Sequence, residues 1–242
     1  MRIVKGNKIV QLTYLPNVFP VNCYLVEEDD GFTLVDAALP NNAEAIWNAA
    51  ERLGKPIARI LLTHAHDDHV GALDRLKEKL PGIPVHISAR DALLLAGDVT
   101  LAAGEPQLPI RGGVPKSVKT RPDVLLKDGD RIGSLLAIDA AGHTPGSMAF
   151  LDERTGLLIA GDAFYTRGGV TVTSRLKWSF PFPALATWNA EASLATAKRL
   201  TELEPTMLAA GHGNLVSRPV EAMKAAVADA ERAWSKKRKR GA

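Results

Sequence analysis

Seven consecutive residues constrain this chain more than any other stretch: Thr63-His64-Ala65-His66-Asp67-Asp68-His69 packs three imidazoles and two carboxylates into one short turn. Protonated, these histidines would repel one another; neutral and buried, each ring would still need partners for its nitrogens. A divalent cation meets both demands. The preceding run, Ile57-Ala58-Arg59-Ile60-Leu61-Leu62, reads as a short buried strand, and Val70-Gly71-Ala72-Leu73-Asp74-Arg75-Leu76 begins a helical pattern, so the cluster lies where a strand ends and a helix starts.

The chain has six histidines, and two of those outside the cluster share a setting. Ser134-Leu135-Leu136-Ala137-Ile138-Asp139-Ala140-Ala141-Gly142-His143 and Thr206-Met207-Leu208-Ala209-Ala210-Gly211-His212 are each an apolar run, then glycine, then histidine. Gly156-Leu157-Leu158-Ile159-Ala160-Gly161-Asp162 repeats the arrangement with a carboxylate. Glycine there lets the backbone turn sharply and approach closely. Four strand-like runs thus each deliver a side chain suited to a metal just past their last apolar residue. If the four strand ends share one edge of a sheet sandwich, these side chains converge.

On these residues the sequence resembles the metallo-β-lactamase-fold hydrolases, and in particular their lactonase and glyoxalase II-like branch. The resemblance runs from about residue 9 to about residue 230. It implies an α/β fold, a four-layer αβ/βα sandwich of two mixed β-sheets packed face to face with helices on the outer faces. It also implies a ligand set: His64, His66 and His143 on a first metal, Asp68, His69 and His212 on a second, and Asp162 bridging them. The cofactors are then two divalent ions, zinc foremost, with iron, manganese and cobalt also compatible with such ligands. A metal-bridging hydroxide would attack a carbonyl carbon, and Asp68 would hold it and shuttle its proton. The bridging carboxylate disfavours β-lactam hydrolysis, since the true β-lactamases of the family lack one at this place. Tyr165, three residues past Asp162, is similar in position to the tyrosine with which lactonases of this fold polarise the lactone carbonyl; simple packing is the competing reading. Asp36 matches an acid that supports the metal loop from behind, and a turn residue at a strand end is its alternative.

Composition bounds the rest. With 242 residues, 46 % hydrophobic and 24 % charged, the chain can bury a sizeable core as one soluble domain over residues 1–234. No run reaches the roughly 18 apolar residues of a membrane span, and the first residues lack a signal-peptide pattern, so a cytoplasmic protein is expected. Cys23 is the one cysteine and reads as a small core residue. The net charge is +3. Lys236-Lys237-Arg238-Lys239-Arg240 forms a basic stretch in a tail, residues 235–242, expected to be disordered and solvated; it is a weak footprint for nucleic acid.

Taken in order, residues 8–13, 21–26 and 32–36 read as a β-meander, followed by a helix with Ile46, Trp47, Ala50 and Leu53 on its apolar face. Further helices are expected from Asp68 to Leu80, from a Ser88 cap to Gly97, from Thr187 to Leu203 and from Pro219 to about Trp234, with strands at 84–87, 123–126, 131–140, 147–151, 157–160 and 206–210. His86 stands outside the glycine-turn pattern and reads as structural. The aperiodic stretch 98–122, rich in glycine and proline, is a candidate wall or lid of a substrate pocket, with an ordinary surface excursion as the alternative. Trp178, Phe180 and Phe182 suit an acyl-chain pocket, or packing beneath a loop.

The leading functional reading is a dinuclear metal-dependent hydrolase of a small-molecule carbonyl substrate, a lactone or ester such as an acyl-homoserine lactone-like compound. A glyoxalase II-like thioesterase shares every ligand, although little follows His212 here beyond one helix. A persulfide dioxygenase would use a single iron. A nucleic-acid-processing enzyme or binding module led by the basic tail stands third, because nucleases of this fold usually carry a large recognition domain, and a non-catalytic, metal-stabilised partner protein stands last, because the ligand set is intact.

Overall fold

A computed structural model describes residues 1–241, apart from the side chains of residues 237 and 239–241. The alternating, β-branched opening segments form β1 (Arg2–Lys5), β2 (Ile9–Tyr14), β3 (Val21–Glu28) and β4 (Gly31–Val35), each antiparallel to the one before. Helix α1 (Ala43–Arg52) returns the chain so that β5 (Ile57–Leu61) lies parallel to β4. After α2 (Asp67–Val70) and α3 (Leu73–Lys79), β6 (Val85–Ser88) adds in parallel; α4 (Ala89–Leu95) and the 98–122 loop lead to β7 (Val124–Leu126). The result is a seven-stranded mixed sheet with its strands in sequence order.

The second sheet starts with β8 (Arg131–Ile132), β9 (Leu135–Asp139), β10 (Met148–Asp152) and β11 (Leu157–Gly161), which pair as antiparallel neighbours. A short ribbon of β12 (Phe164–Tyr165) and β13 (Thr171–Val172) follows, then α5 (Phe182–Ala186) and α6 (Ala190–Glu202). Strand β14 (Met207–Ala210) pairs in parallel with β11, β15 (Val216–Ser217) forms the edge, and α7 (Val220–Gly241) ends the described chain.

Three apolar cores give the layering. Ile9, Tyr24, Leu61, Phe150, Ile159 and Ala209 interdigitate between the two sheets. On the far face of the first sheet Leu34, Ile60 and Ile87 pack against Ile46 of α1, Leu73 and Leu76 of α3 and Leu94 of α4. On the far face of the second, Ala149, Leu158 and Leu208 pack against Leu194 and Leu200 of α6 and Met223 of α7. Helices, sheet, sheet and helices therefore stack in the expected four layers. Strands buried on both faces read as continuous apolar runs, as the central strands here do.

Three elements differ from expectation. The helix over 68–80 is broken into α2 and α3, because Gly71 and Ala72 give their N–H groups to Ala38 and Ala37 carbonyls at 2.9 and 3.3 Å instead of to the helix. The strand over 131–140 is two strands, parted at Ser134, whose N–H and hydroxyl bond Glu28 of the first sheet at 3.1 and 2.7 Å. The last helix passes Trp234 and runs to Gly241, so residues 235–241 continue α7, while residue 242 of the expected tail lies outside the described residues; lysine and arginine are good helix formers, and no glycine or proline intervenes before Gly241.

Candidate metal centre

The ends of β5, β9, β11 and β14 meet at one edge of the sandwich. Gly142 and Gly161 turn there with φ of +146° and +49°. At Gly211 a Cβ would stand 2.0 Å from the Asp162 carboxylate, so only glycine lets β14 come this close. The first sheet thereby contributes His64, His66, Asp68 and His69, and the second His143, Asp162 and His212.

Each of the five imidazoles is held from outside by one ring nitrogen. His66 Nε2–H donates to the Arg111 carbonyl at 2.9 Å, and His212 Nδ1–H to the Pro20 carbonyl at 2.7 Å. His69 Nδ1 lies 2.8 Å from Asp36 Oδ2. The Thr63 hydroxyl donates to Asp36 at 2.8 Å and so accepts from His64 Nδ1 at 3.0 Å. The Thr187 hydroxyl donates to the Pro183 carbonyl at 2.7 Å and accepts from His143 Nδ1 at 3.1 Å. These partners fix which ring nitrogen faces inward, so in the neutral form that binds a metal each inward nitrogen offers a lone pair.

What those lone pairs face is the test of whether the residues fit a metal. His66 Nδ1 and His143 Nε2 stand 3.0 Å apart. His64 Nε2, His69 Nε2 and Asp162 Oδ1 are buried and, among the described residues, have no hydrogen-bond partner. Asp162 Oδ2 lies 3.1 Å from His212 Nε2 and 3.4 Å from His143 Nε2, and Asp68 Oδ2 lies 3.5 Å from His212 Nε2. Acceptors crowded together without a donor repel, and burial raises the cost. Cations placed among them resolve the conflict. Three groups bring their donor atoms within 4.8 Å of one another: His64, His66 and His143; His64, His69 and Asp162; Asp68, His69 and His212.

The residues 16–212 match the Metallo-beta-lactamase superfamily. The chain belongs to this superfamily. Among its relatives, the uncharacterized protein YobT of Bacillus subtilis is 53 % identical over 232 residues, covering 96 % of this chain and 100 % of that protein. A hydroxyacylglutathione hydrolase of Gloeobacter violaceus is 30 % identical over 161 residues, 65 % of this chain and 54 % of that enzyme. Among solved structures, TTHA1623 in a di-iron-bound form superposes with a TM-score of 0.63 at 30 % identity, covering 88 % of this chain and 96 % of that one. This superfamily member is a metal-dependent hydrolase, and its clustered histidines and aspartates could hold metal ions.

Electrostatics divide the superfamily site in two. Burial, aided by neighbouring histidines, holds His64 well below its ordinary pKa, and burial pulls His143 down to about 3 and lowers His66. Burial also opposes charge on His69 and His212, but the carboxylates win: Asp162, Asp68 and Asp36 push His69 up to about 10, and Asp162 and Asp68 raise His212. Against the same burial, His212 and His69 keep Asp162 well below the carboxylate range. Without a cation, the acids favour the charged form of His69 most strongly and that of His212 in the same direction.

The 98–122 loop is a wall of the site, as expected: its Arg111 carbonyl holds His66, and a Cβ at Gly112 would meet the His66 ring at 2.3 Å. Trp188 Nε1–H pins the loop through the Leu108 carbonyl at 3.0 Å. Above the donors lies a cavity of about 320 Å³ walled by Phe19, Leu39, Pro40, Phe182, Pro183 and Ala186, with Asp67, Asp68 and Gly113 on its polar side.

Tyr165 corrects an expectation. Its side chain is 1 % exposed, packs on Phe180 and gives its hydroxyl to the Arg175 carbonyl at 3.4 Å; it does not line the cavity, because the β12–β13 ribbon turns it beneath the wall. The aromatic trio divides between the two readings, with Trp178 in neither. Phe182 lines the mouth, Phe180 is buried under it, and Trp178 is 87 % exposed outside the cavity. Phe19, missed in the sequence, takes the vacant place, with ring centroids 5.3 Å from Phe182 and 5.0 Å from His212. A lone phenylalanine in the Leu15–Pro20 turn carries no periodic signal. His86 belongs to none of the donor groups.

Proposed function

We propose that the chain is a two-metal hydrolase of lactones or small esters with an apolar acyl part. The position of Asp162 carries the reading: Oδ2 lies between His143 and His212, while Oδ1 lies 3.5 Å from His69 Nε2. A carboxylate so placed suits a bridge between one ion on His64, His66 and His143 and another on Asp68, His69 and His212. Nitrogen and oxygen donors of this kind suit zinc, iron, manganese or cobalt. Bound there, a pair of divalent ions supplies Lewis acidity and brings the pKa of a coordinated water towards about 7.

The chain's own residues do the rest. Asp68, on the cavity wall with its side chain 24 % exposed, is placed to take a proton from the attacking water and deliver it to the leaving alkoxide. Phe19 and Phe182 exclude water and cover an aliphatic chain. Among the described residues that line the cavity none is a lysine or arginine, which favours an uncharged acyl group over the anionic tripeptide of a glutathione thioester.

Identity with the hydroxyacylglutathione hydrolase supports thioester cleavage as a second reading. A panel of lactones, esters and thioesters, run on protein of measured metal content, decides. Lactone or ester turnover that vanishes on chelation and returns with metal is the expected result. Background rates at full two-metal occupancy would overturn the proposal, and a tenfold preference for glutathione thioesters would move it to the second reading. One bound iron with oxygen consumption would point to persulfide dioxygenase chemistry.

A further inference from the structure

Outside the donor set, one buried carboxylate touches both loops that carry the three-histidine group. Asp91 sits in the first turn of α4 and is fully buried. Its Oδ2 accepts from Ala65 N–H at 2.9 Å and from the Thr144 hydroxyl at 2.8 Å, and its Oδ1 accepts from Gly146 N–H at 2.9 Å. Ala65 stands between His64 and His66, and Thr144 follows His143. The carboxylate therefore links the ligand loop of the first sheet to that of the second.

The surroundings are built for this contact. The Ser88 hydroxyl accepts from Asp91 N–H at 3.0 Å and donates to the Gly146 carbonyl at 2.6 Å. A Cβ on Gly146 would stand 2.6 Å from Asp91 N and 2.7 Å from its Oδ1, so the loop admits only glycine there. Among the described residues no cation compensates the charge by direct contact, for Arg90 next door is committed to Glu105 at 2.6 and 3.0 Å and to the Thr100 carbonyl. A buried carboxylate without an ionic partner is expensive to keep. Its three donors all come from the ligand loops, so what it does for the fold is hold those loops in register.

We propose that Asp91 is a positioning residue that preassembles the three-histidine group, His64, His66 and His143, without acting on the group of Asp68, His69 and His212. The second group has anchors of its own, Asp36 behind His69 and the Pro20 carbonyl behind His212. The inference rests on the two-metal reading above. Loss of Asp91 should therefore weaken metal binding at one group and spare the other. Replacing a partner that orients metal ligands costs about 10–100-fold in metal affinity.

The test is cobalt(II) titration of the chelated full-length protein, followed by metal stoichiometry, the visible absorption of the bound ion and the paramagnetically shifted imidazole N–H signals. The outer nitrogens provide three such signals from His64, His66 and His143 and two from His69 and His212. Asp91→Asn keeps the shape but presents an NH₂ group to one of its three donors. It should lower affinity at the three-signal group about 10–100-fold and change the two-signal group by less than about twofold. Asp152→Asn, a buried carboxylate remote from the site, should change neither. If Asp91→Asn does not fold, Thr144→Val decides: it removes one bond to Asp91 and should cause a several-fold loss at the same group, restored by Thr144→Ser. Equal losses at both groups, or none in either variant, would overturn the role. Fewer than two equivalents bound by the unaltered protein would undo the two-metal reading itself.

Discussion

The two donor groups share one cavity but are prepared for a cation in opposite ways. His64, His66 and His143 are kept towards the neutral form by burial and by one another, whereas carboxylates favour the charged form of His69 and, in the same direction, of His212. The first group offers lone pairs ready for a metal. In the second, a metal competes with the proton on His69. Asp162 and Asp68 act on both groups, but burial outweighs them at His66 and His143; on His69 they are joined by Asp36, 2.8 Å from its Nδ1, while the three-histidine group has hydroxyl and carbonyl anchors.

The comparison breaks most severely at Asp162, the group between the two. Asp162→Asn should cut turnover by more than ~10²-fold, beyond what outer partners give, and reduce bound metal towards one equivalent; full activity with two metals retained would remove the bridge.

The next effect is on pH. Metal uptake by the second group should strengthen about tenfold per pH unit for each proton displaced as pH rises towards about 10, the pKa of His69 in the metal-free protein. Uptake by the three-histidine group should be nearly flat above pH ~6.5, because His143 stays neutral down to about 3. Competition titrations at several pH values measure both slopes. In the chelated protein the signs oppose: the contribution of His69, raised above the unfolded value near 6.5, is full below that value and lost as pH rises through about 10. His143, depressed to about 3, destabilises the fold as pH falls below about 6.5. Thermal unfolding should therefore show a stability maximum near neutrality.

A smaller effect belongs to the cavity wall. Phe182→Ala should lower kcat/KM for medium-chain acyl substrates by about tenfold, the worth of part of a buried aromatic ring, and leave acetyl esters nearly unchanged; equal losses on both would detach Phe182 from chain recognition. Smallest is Tyr165→Phe. It removes one long hydrogen bond under the wall, so turnover should hold within about twofold and stability fall by no more than ~1 kcal/mol. A hundredfold loss of lactone turnover would return the phenol to the chemistry.

Much of the site is legible in the sequence for a physical reason. His64 to His69 are contiguous, and His143, Asp162 and His212 each follow an apolar run and a glycine, so pattern and turn chemistry mark them together. The four layers follow from the same runs, since strands apolar on both faces need cover on both sides. Asp91 has no such mark. It is an acid in an ordinary helix start, and its partners lie 26 to 55 residues away. The direction of Tyr165 depends on how a two-stranded ribbon twists, and the pairing of Phe19 with Phe182 on a contact between distant loops.

By itself the sequence determined which side chains are offered to a cation and that they lie at strand ends, because period and glycine position are local properties of a chain. Tertiary structure alone decided which ring nitrogens face inward, which histidines are pushed towards the charged form, and which side chains wall the cavity. Those depend on carbonyls, hydroxyls and carboxylates brought within 3 Å of the rings from remote segments, such as Pro20 behind His212 at 2.7 Å.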